Sequence, residues 1–361
     1  MDLYLLIGIA PYFCFLVIIF SGLLFRKHPK INKDDDSFIS VVIAARNEEN
    51  NISYLLKDLI NQSADKNNYE VIVANDRSTD KTKNIIDQFS SENSFIKSIH
   101  IEKNHEMTPK KYALTKAIEK SEGEIILTTD ADCRVPRDWV NNMAELVQNG
   151  KGIVIGYSRI KSMKSFLNEF QKIDFLGIMA ANSGLLTHGI VCSGSGQNLA
   201  FKKKDFQIIN GFEPVKDLVS GDDMYLVQSI SSIKGAIFNY NPSSFVSTLP
   251  KNSFKSYINQ RIRWSSNSKQ NLSSNPQFFV FLISAFFANC SIMFSFIYFS
   301  GVSFFLFLTK FFLEAFIIFI GSRLFLTPVS FLTYIMWNLI QPIYIPIIGV
   351  AGLIGKYSWK N

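Results

Sequence analysis

The chain has 361 residues, enough for two or three folding units of ordinary size. With 47% hydrophobic residues, 33 phenylalanines and 19% charged residues, its composition excludes a disordered chain and argues against a wholly soluble one. A net charge of +7 suits an anionic lipid surface or a phosphorylated ligand, and it does not demand nucleic acid. Cys14, Cys133, Cys192 and Cys290 are scattered without a CxxC pair, and His28, His100, His105 and His188 lack zinc-type spacing, so neither a disulfide framework nor a zinc site is expected.

The first predicted element is a membrane anchor over about residues 1–30. From Leu3 to Phe25 no charge interrupts an apolar run long enough to cross a hydrocarbon layer of about 30 Å. A cleavable secretory signal would carry its positive charge before a shorter apolar core, so the segment reads as retained. Arg26, Lys27, Lys30 and Lys33 follow it and place the next segment on the cytoplasmic side by the positive-inside rule.

Residues 37–250 have ordinary globular composition and read as one α/β domain. Phe38 to Ala45 (FISVVIAA) is a β-branched run suited to a parallel strand buried on both faces, and Ile52, Leu55, Leu56 and Leu59 then mark one face of a helix. Tyr69 to Ala74 repeats the strand signal, Thr79 to Phe89 the helix, and a helix over Pro109 to Lys120 precedes a third strand at Glu124 to Thr129. Such alternation predicts right-handed crossovers and a Rossmann-like sheet that binds ligands beyond the carboxyl ends of its strands.

Acidic residues recur at those ends. The first strand runs into Arg46-Asn47-Glu48-Glu49, the second into Asn75-Asp76-Arg77-Ser78-Thr79-Asp80 and the third into Asp130-Ala131-Asp132. Two carboxylates two residues apart project to one side of an extended chain and can share a hard cation, with a bound diphosphate completing the shell. Turns and helix caps use Asp equally readily, and that alternative stays open for each acid alone. A dinucleotide site fails because the first turn reads AARNEE without GxGxxG, and a hydrolase elbow fails because Ser193 stands where GxSxG needs glycine.

Beyond Pro250 the chain returns to the membrane. Lys251 to Lys269 sets Phe254, Tyr257, Ile258 and Ile262 on one helical face amid Lys255, Arg261 and Arg263, the pattern of an interfacial helix within an amphipathic segment at 251–275. Three spans are expected in 276–361, at about 277–299, 302–321 and 329–354. Lys310 and Glu314 stand one turn apart inside the second, where they can pair with each other or line an ion pathway. Pro342 and Pro346 are expected to kink or break the last span, and Lys356 and Lys360 favour a re-entrant segment that keeps the C-terminus inside.

Taken in order, IAARNEENNISYLL, EVIVANDRSTDKT, ILTTDADCRVP, GDDMYL and QRIRW resemble the inverting family 2 glycosyltransferases of GT-A fold, over about residues 37–265. The flanking spans are similar to those of the membrane-integrated branch containing cellulose, hyaluronan and poly-N-acetylglucosamine synthases and ceramide glucosyltransferases. The resemblance implies a cytoplasmic GT-A domain with one N-terminal and about three C-terminal transmembrane helices, in a bacterial-type inner membrane.

It also implies roles. Asp76 would hold the base or ribose of the donor, although Asn75 and Arg77 depart from the family's DDGS pattern, and Glu48 belongs to the same nucleotide side. Lys110, at KxxAL spacing with Ala113 and Leu114, would approach the phosphates. Asp130-Ala131-Asp132 matches DxD, with Asp132 on Mg or Mn and Asp130 on the ribose or the metal shell. Asp222-Asp223 matches the family's Glu-Asp pair, with Asp223 as general base. Gln260-Arg261-Ile262-Arg263-Trp264 matches QxxRW, with Arg263 on the diphosphate and Trp264 under the acceptor, and the GSGQNLAF stretch makes Asn198 a candidate sugar contact.

The expected reaction moves a sugar from a nucleotide sugar, foremost a UDP-sugar, to a lipid or lipid-linked acceptor at the cytoplasmic face. A processive polysaccharide synthase is the neighbouring reading, and few spans leave little material for a polymer pore. A membrane transporter, suggested by the apolar tail with Lys310 and Glu314, leaves about 200 expected cytoplasmic residues unexplained. The intact acidic set argues against an inactive scaffold.

Overall fold

The computed structural model describes residues 2–26, 37–103, 107–148, 150–295 and 301–354. Lys27, His28, Pro29, Lys30, Lys33, His105, Lys356 and Lys360 lie outside these residues, and with them most of the charge argument for both chain ends.

In chain order the elements are α1 (Asp2–Leu24), β1 (Ile39–Ala45), α2 (Ile52–Ile60), β2 (Tyr69–Asp76), α3 (Thr82–Glu92), β3 (Ile96–Ile101), α4 (Pro109–Lys120) and β4 (Ile125–Thr128). There follow β5 (Cys133–Arg134), α5 (Trp139–Gln148), β6 (Ile153–Gly156), β7 (Ser158–Ile160), α6 (Phe166–Thr187), β8 (Leu199–Lys202), α7 (Lys203–Ile208), α8 (Asp222–Lys234), β9 (Ala236–Asn239) and β10 (Val246–Thr248). The last five are α9 (Phe254–Ser266), α10 (Ser268–Ser274), α11 (Pro276–Ser295), α12 (Gly301–Leu324) and α13 (Phe331–Ile354).

These elements form two compact units. The first, His28–Arg159 with Ser193–Leu249, is built on a seven-stranded sheet of order β3-β2-β1-β4-β8-β6-β9. Strands β1, β2, β3 and β4 run parallel, as their crossover helices require, and β8 alone lies antiparallel to both neighbours. Val41 and Ile43 of β1, Val71 and Val73 of β2 and Leu127 of β4 pack on Leu55 and Leu59 of α2 and on Trp139 of α5. The in-register pairing of Ala45 with Asn75 brings the β1 and β2 exits to one edge, so the first two acidic loops are neighbours by construction.

The second unit joins Met1–Lys27, Ile160–Cys192 and Pro250–Asn361. Residues 160–192, inside the expected 37–250 region, and residues 251–275 group with this second unit by contact. The sequence reading missed α6, whose Phe170, Ile173, Leu176, Met179 and Leu185 are buried although it carries Glu169, Lys172 and Asp174. It lies very close to α1: a Cβ on Gly22 would stand 2.0 Å from the Gly184 carbonyl oxygen, so only a bare backbone fits there.

Four helices, Leu6–Leu24, Pro276–Ser295, Gly301–Leu324 and Phe331–Ile354, are long and apolar enough to cross a membrane. The expected break in the last span does not occur: α13 runs without interruption through Pro342 and Pro346, both of which are buried. Lys310 and Glu314 pair at 2.9 Å. Gln341 accepts from the Lys310 ammonium at 2.8 Å, while Tyr12 and Asn338 donate to Glu314 at 2.8 and 2.6 Å. This network links α1, α12 and α13, and both charges are answered inside it.

The amphipathic segment also differs from expectation. Helix α9 starts at a capping box formed by Ser253 and Ser256, and its buried residues are Tyr257 and Arg261, one turn apart, whereas Phe254 is 65% exposed. Arg261, one of the cations amid which the apolar face was placed, is drawn inward by Asp174 at 2.7 Å.

Candidate active site

The strand exits of the sheet unit are laced together by side chains acting as backbone surrogates. Asn47 stands at φ 54° and accepts from the Thr79 N–H at 2.9 Å, while its own N–H donates to Ser78 at 3.0 Å. The Glu48 and Glu49 N–H groups donate to Thr82 and Asp80 at 2.7 and 3.1 Å. Arg77, at the family's usual glycine, adopts φ 50°, the left-handed conformation that glycine takes freely. Its Nε donates to Asp76 at 2.8 Å, and Arg46 reaches the other Asp76 oxygen at 3.5 Å. Asp76 is thus buried at the end of β2 between two guanidinium groups, and the Glu48 carboxylate accepts from Asn51 at 2.8 Å.

A second cluster forms where α4, α8 and the loop before β8 meet the end of β4. Pro109 opens α4, a position where its missing N–H costs nothing, and sets Lys110 in the first turn. The Lys110 ammonium lies 2.8 Å from Asp130 and 3.5 Å from Asp222. Burial opposes its charge, yet Asp130 and then Asp222 raise its pKa well above the ordinary lysine value, so it stays charged. Gly221, at φ 85°, starts α8 and puts Asp222 and Asp223 in the first turn, where the helix dipole favours carboxylates.

Asp223 is tied to the glycine loop. Its Oδ2 accepts from the Gly196 N–H at 3.3 Å and its Oδ1 from the Met224 N–H at 2.8 Å, while Thr128 donates to the Gly196 carbonyl at 2.9 Å. Burial, then the Asp222 charge, push the Asp223 carboxyl up to about 6 against the opposing pull of Lys110. A carboxylate in that range takes a proton from an alcohol far better than an ordinary one and is still ionised at neutral pH.

Sequence reasoning missed Lys111. Its ammonium donates to the Leu218 carbonyl and lies 3.5 Å from the Thr108 hydroxyl, pinning the loop that leads into Asp222. Burial lowers its pKa. The Lys110-Lys111 doublet at a helix start was the available signal, since adjacent residues stand about 100° apart on a helix and face different neighbours.

The sugar-contact role expected of Asn198 is corrected. Its side chain is fully buried; it accepts from the Trp139 indole at 2.8 Å and donates to the Tyr157 and Ser244 carbonyls at 2.9 and 2.8 Å. Every polar atom of the amide is spent on the fold, so the residue braces the loop carrying Gly196 and has nothing left for a sugar.

Among the described residues no group of three His, Cys, Asp or Glu side chains forms a metal cage. Small hard cations commonly bind one or two carboxylates and take their remaining ligands from substrate phosphates and water, and Asp130 with Asp132 supplies that donor set. Cys133 does not compete: burial, then the charges of Asp132 and Asp130, raise its thiol pKa well above the ordinary value and keep it neutral. The residues therefore fit a divalent ion completed by a diphosphate.

In the helical unit, Gln260, Arg263 and Trp264 share α9. The Trp264 ring lies 4.2 Å from the Arg261 guanidinium, and the Phe175 ring packs on it at 6.0 Å between centroids. Residues 174 and 175 thereby hold the motif tryptophan from α6.

The sheet order with its acidic exits and the order of the motifs are those of the glycosyl transferase class of proteins. The chain belongs to the glycosyl transferase family group 2, whose profile matches residues 125–352, and an overlapping match to glycosyl transferase family 2 covers 40–206. It is 27% identical over 230 residues to a Bacillus subtilis (strain 168) protein named "Probable glycosyltransferase YdaM", covering 63% of this chain and 54% of that one. It is 27% identical over 267 residues to the poly-beta-1,6-N-acetyl-D-glucosamine synthase of Staphylococcus aureus, covering 73% and 62%. The chain thus spans little more than half the length of these curated relatives. A mannosyltransferase from Pyrobaculum calidifontis, solved in complex with GDP-Man and Mn2+, shares the fold over 98% of each chain at TM-score 0.68 and 18% identity.

Proposed function

We propose that the protein is an inverting glycosyltransferase that moves a sugar from a nucleotide sugar, foremost a UDP-sugar, to a lipid or lipid-linked hydroxyl at the cytoplasmic membrane face. The observation that carries this reading is the single ammonium of Lys110 bridging Asp130 of the DxD motif and Asp222 beside Asp223. Donor-side and base-side acids meet around one cation, as a displacement at the anomeric carbon needs.

Asp76 and Glu48 serve the nucleoside. Lys110 shifts from its carboxylates toward the diphosphate, and Asp130 and Asp132 hold Mg or Mn, which when bound supplies Lewis-acid neutralisation of the leaving phosphate. Asp223 accepts the proton of the acceptor hydroxyl as that oxygen attacks the anomeric carbon, with inversion. Asp222 raises the basicity of Asp223 and anchors Lys110. Arg263 and Gln260 keep the diphosphate and acceptor roles implied by QxxRW, and Trp264 offers a flat apolar face to the acceptor.

A processive polysaccharide synthase is the second reading, favoured by the Staphylococcus aureus relative. One experiment separates the two: purified protein with labelled UDP-sugars and GDP-Man, native lipid extract and Mg or Mn, followed by mass analysis. An organic-soluble lipid carrying one sugar supports the first reading and a long water-soluble polymer the second; no transfer from any donor overturns both.

A further inference from the structure

A carboxylate outside every motif sits at the centre of the helical unit. Asp174, in the middle of α6, accepts through Oδ2 from the Arg261 Nε and the Tyr257 hydroxyl, each at 2.7 Å, and through Oδ1 from the Trp337 indole at 3.3 Å. One side chain therefore ties α6 to α9 and to α13. Arg261 is only 5% exposed, and its Nη1 and Nη2 have no hydrogen-bond partner among the described residues. Its charge is answered at Nε, and its flat face is laid on rings, 4.2 Å from Trp264 and 4.9 Å from Tyr257.

As a stabilising device this is poor. A buried guanidinium with two unanswered nitrogens costs stability that an apolar side chain of similar volume would not. Its product is geometric: the Asp174 bond fixes the guanidinium that lies over the Trp264 ring, and Phe175 packs against the same ring at a tilt. Free indole rings turn about two side-chain torsions, and a ring that must lie flat under an acceptor loses binding when it turns.

We propose that Asp174 is a positioning residue, orienting Trp264 of the QxxRW helix through Arg261 and so setting acceptor binding without touching substrate. The statement about acceptor rests on the function proposed above; the statement about Trp264 does not.

The test uses the full-length protein in detergent with Trp337→Phe throughout, so that the indole bonded directly to Asp174 is silent. The Trp264 emission is obtained by difference against Trp264→Phe. In Asp174→Asn, acrylamide quenching of Trp264 rises at least about twofold, UDP affinity measured by calorimetry stays within about twofold, and transfer to native lipid extract falls about tenfold or more. In Asp174→Asn with Arg261→Met, which removes both buried charges, the melting temperature returns toward the parent while Trp264 stays loose and transfer stays low. Unchanged Trp264 quenching in a folded Asp174→Asn protein overturns the proposal, and so does parental quenching or transfer in the double variant. If even the parent neither binds UDP nor transfers sugar, the functional reading fails and the quenching result still decides the role of Asp174.

Discussion

The Lys110 ammonium lies 2.8 Å from the Asp130 carboxylate, joining the first turn of α4 to the exit of β4. Lys110 also lowers the pKa of Asp223, which burial and Asp222 push up to about 6. Protonated Asp223 cannot take a proton, so kcat/KM should fall as pH drops through about 6, and Lys110→Met should move that acid limb to higher pH. For stability the sign is the opposite: the ionised carboxylate is the disfavoured form in the folded state, so its penalty is present above about 6 and relieved as pH falls toward the unfolded value. Initial rates from pH 5 to 8 for both proteins check the shift, and a coincident acid limb would remove Lys110 from the electrostatics of the base.

Asp223→Asn keeps the shape of the side chain and the acceptor for the Gly196 N–H, which donates to Asp223 at 3.3 Å. Loss of a general base costs roughly a hundred- to ten-thousand-fold in rate. Transfer should fall in that range while calorimetric UDP affinity holds, and undiminished turnover would deny Asp223 its role.

Asn198→Ala leaves the Trp139 indole and the Tyr157 and Ser244 carbonyls without their partner in a buried site. The expected loss is on the order of 3 kcal/mol, visible as a lowered melting temperature in detergent. Gly156→Ala should act in the same direction, since its Cβ would stand 2.3 Å from the Asn198 Cγ. A sugar-contact role would instead leave the melting temperature alone and raise KM.

Lys310→Met strands the Glu314 charge among Tyr12 and Asn338, at a cost of about 3–5 kcal/mol. Lys310→Met with Glu314→Gln should melt above either single variant, with sugar transfer largely intact. Abolished transfer in a well-folded double variant would give the pair more than a structural part, and an ion flux in parent proteoliposomes that the double variant lacks would restore the transport reading.

Much of the donor side was legible in advance. Strands β1, β2 and β4 announce themselves as β-branched runs, α2 and α4 by their apolar spacing, and the acids fall at strand exits because parallel strands must end at one edge of the sheet. The register of β1 with β2 then makes neighbours of loops that are distant in sequence. Strands β6, β8 and β9 were not legible, since none lies in the run of alternating strands and helices from β1 onward that made β4, equally short, stand out.

The sequence by itself determined the alternation of strands and helices, the order of the motif acids and the four long apolar helices, because each is written in local periodicity or length. Only the tertiary structure decided that α6 leaves the sheet unit, that Asn198 is a brace, that Arg261 turns inward and that Lys111 holds a loop. A polar side chain carries no mark of its own burial. Whether it faces water or the interior depends on a partner far along the chain, and Asp174, 87 residues before Arg261, is such a partner.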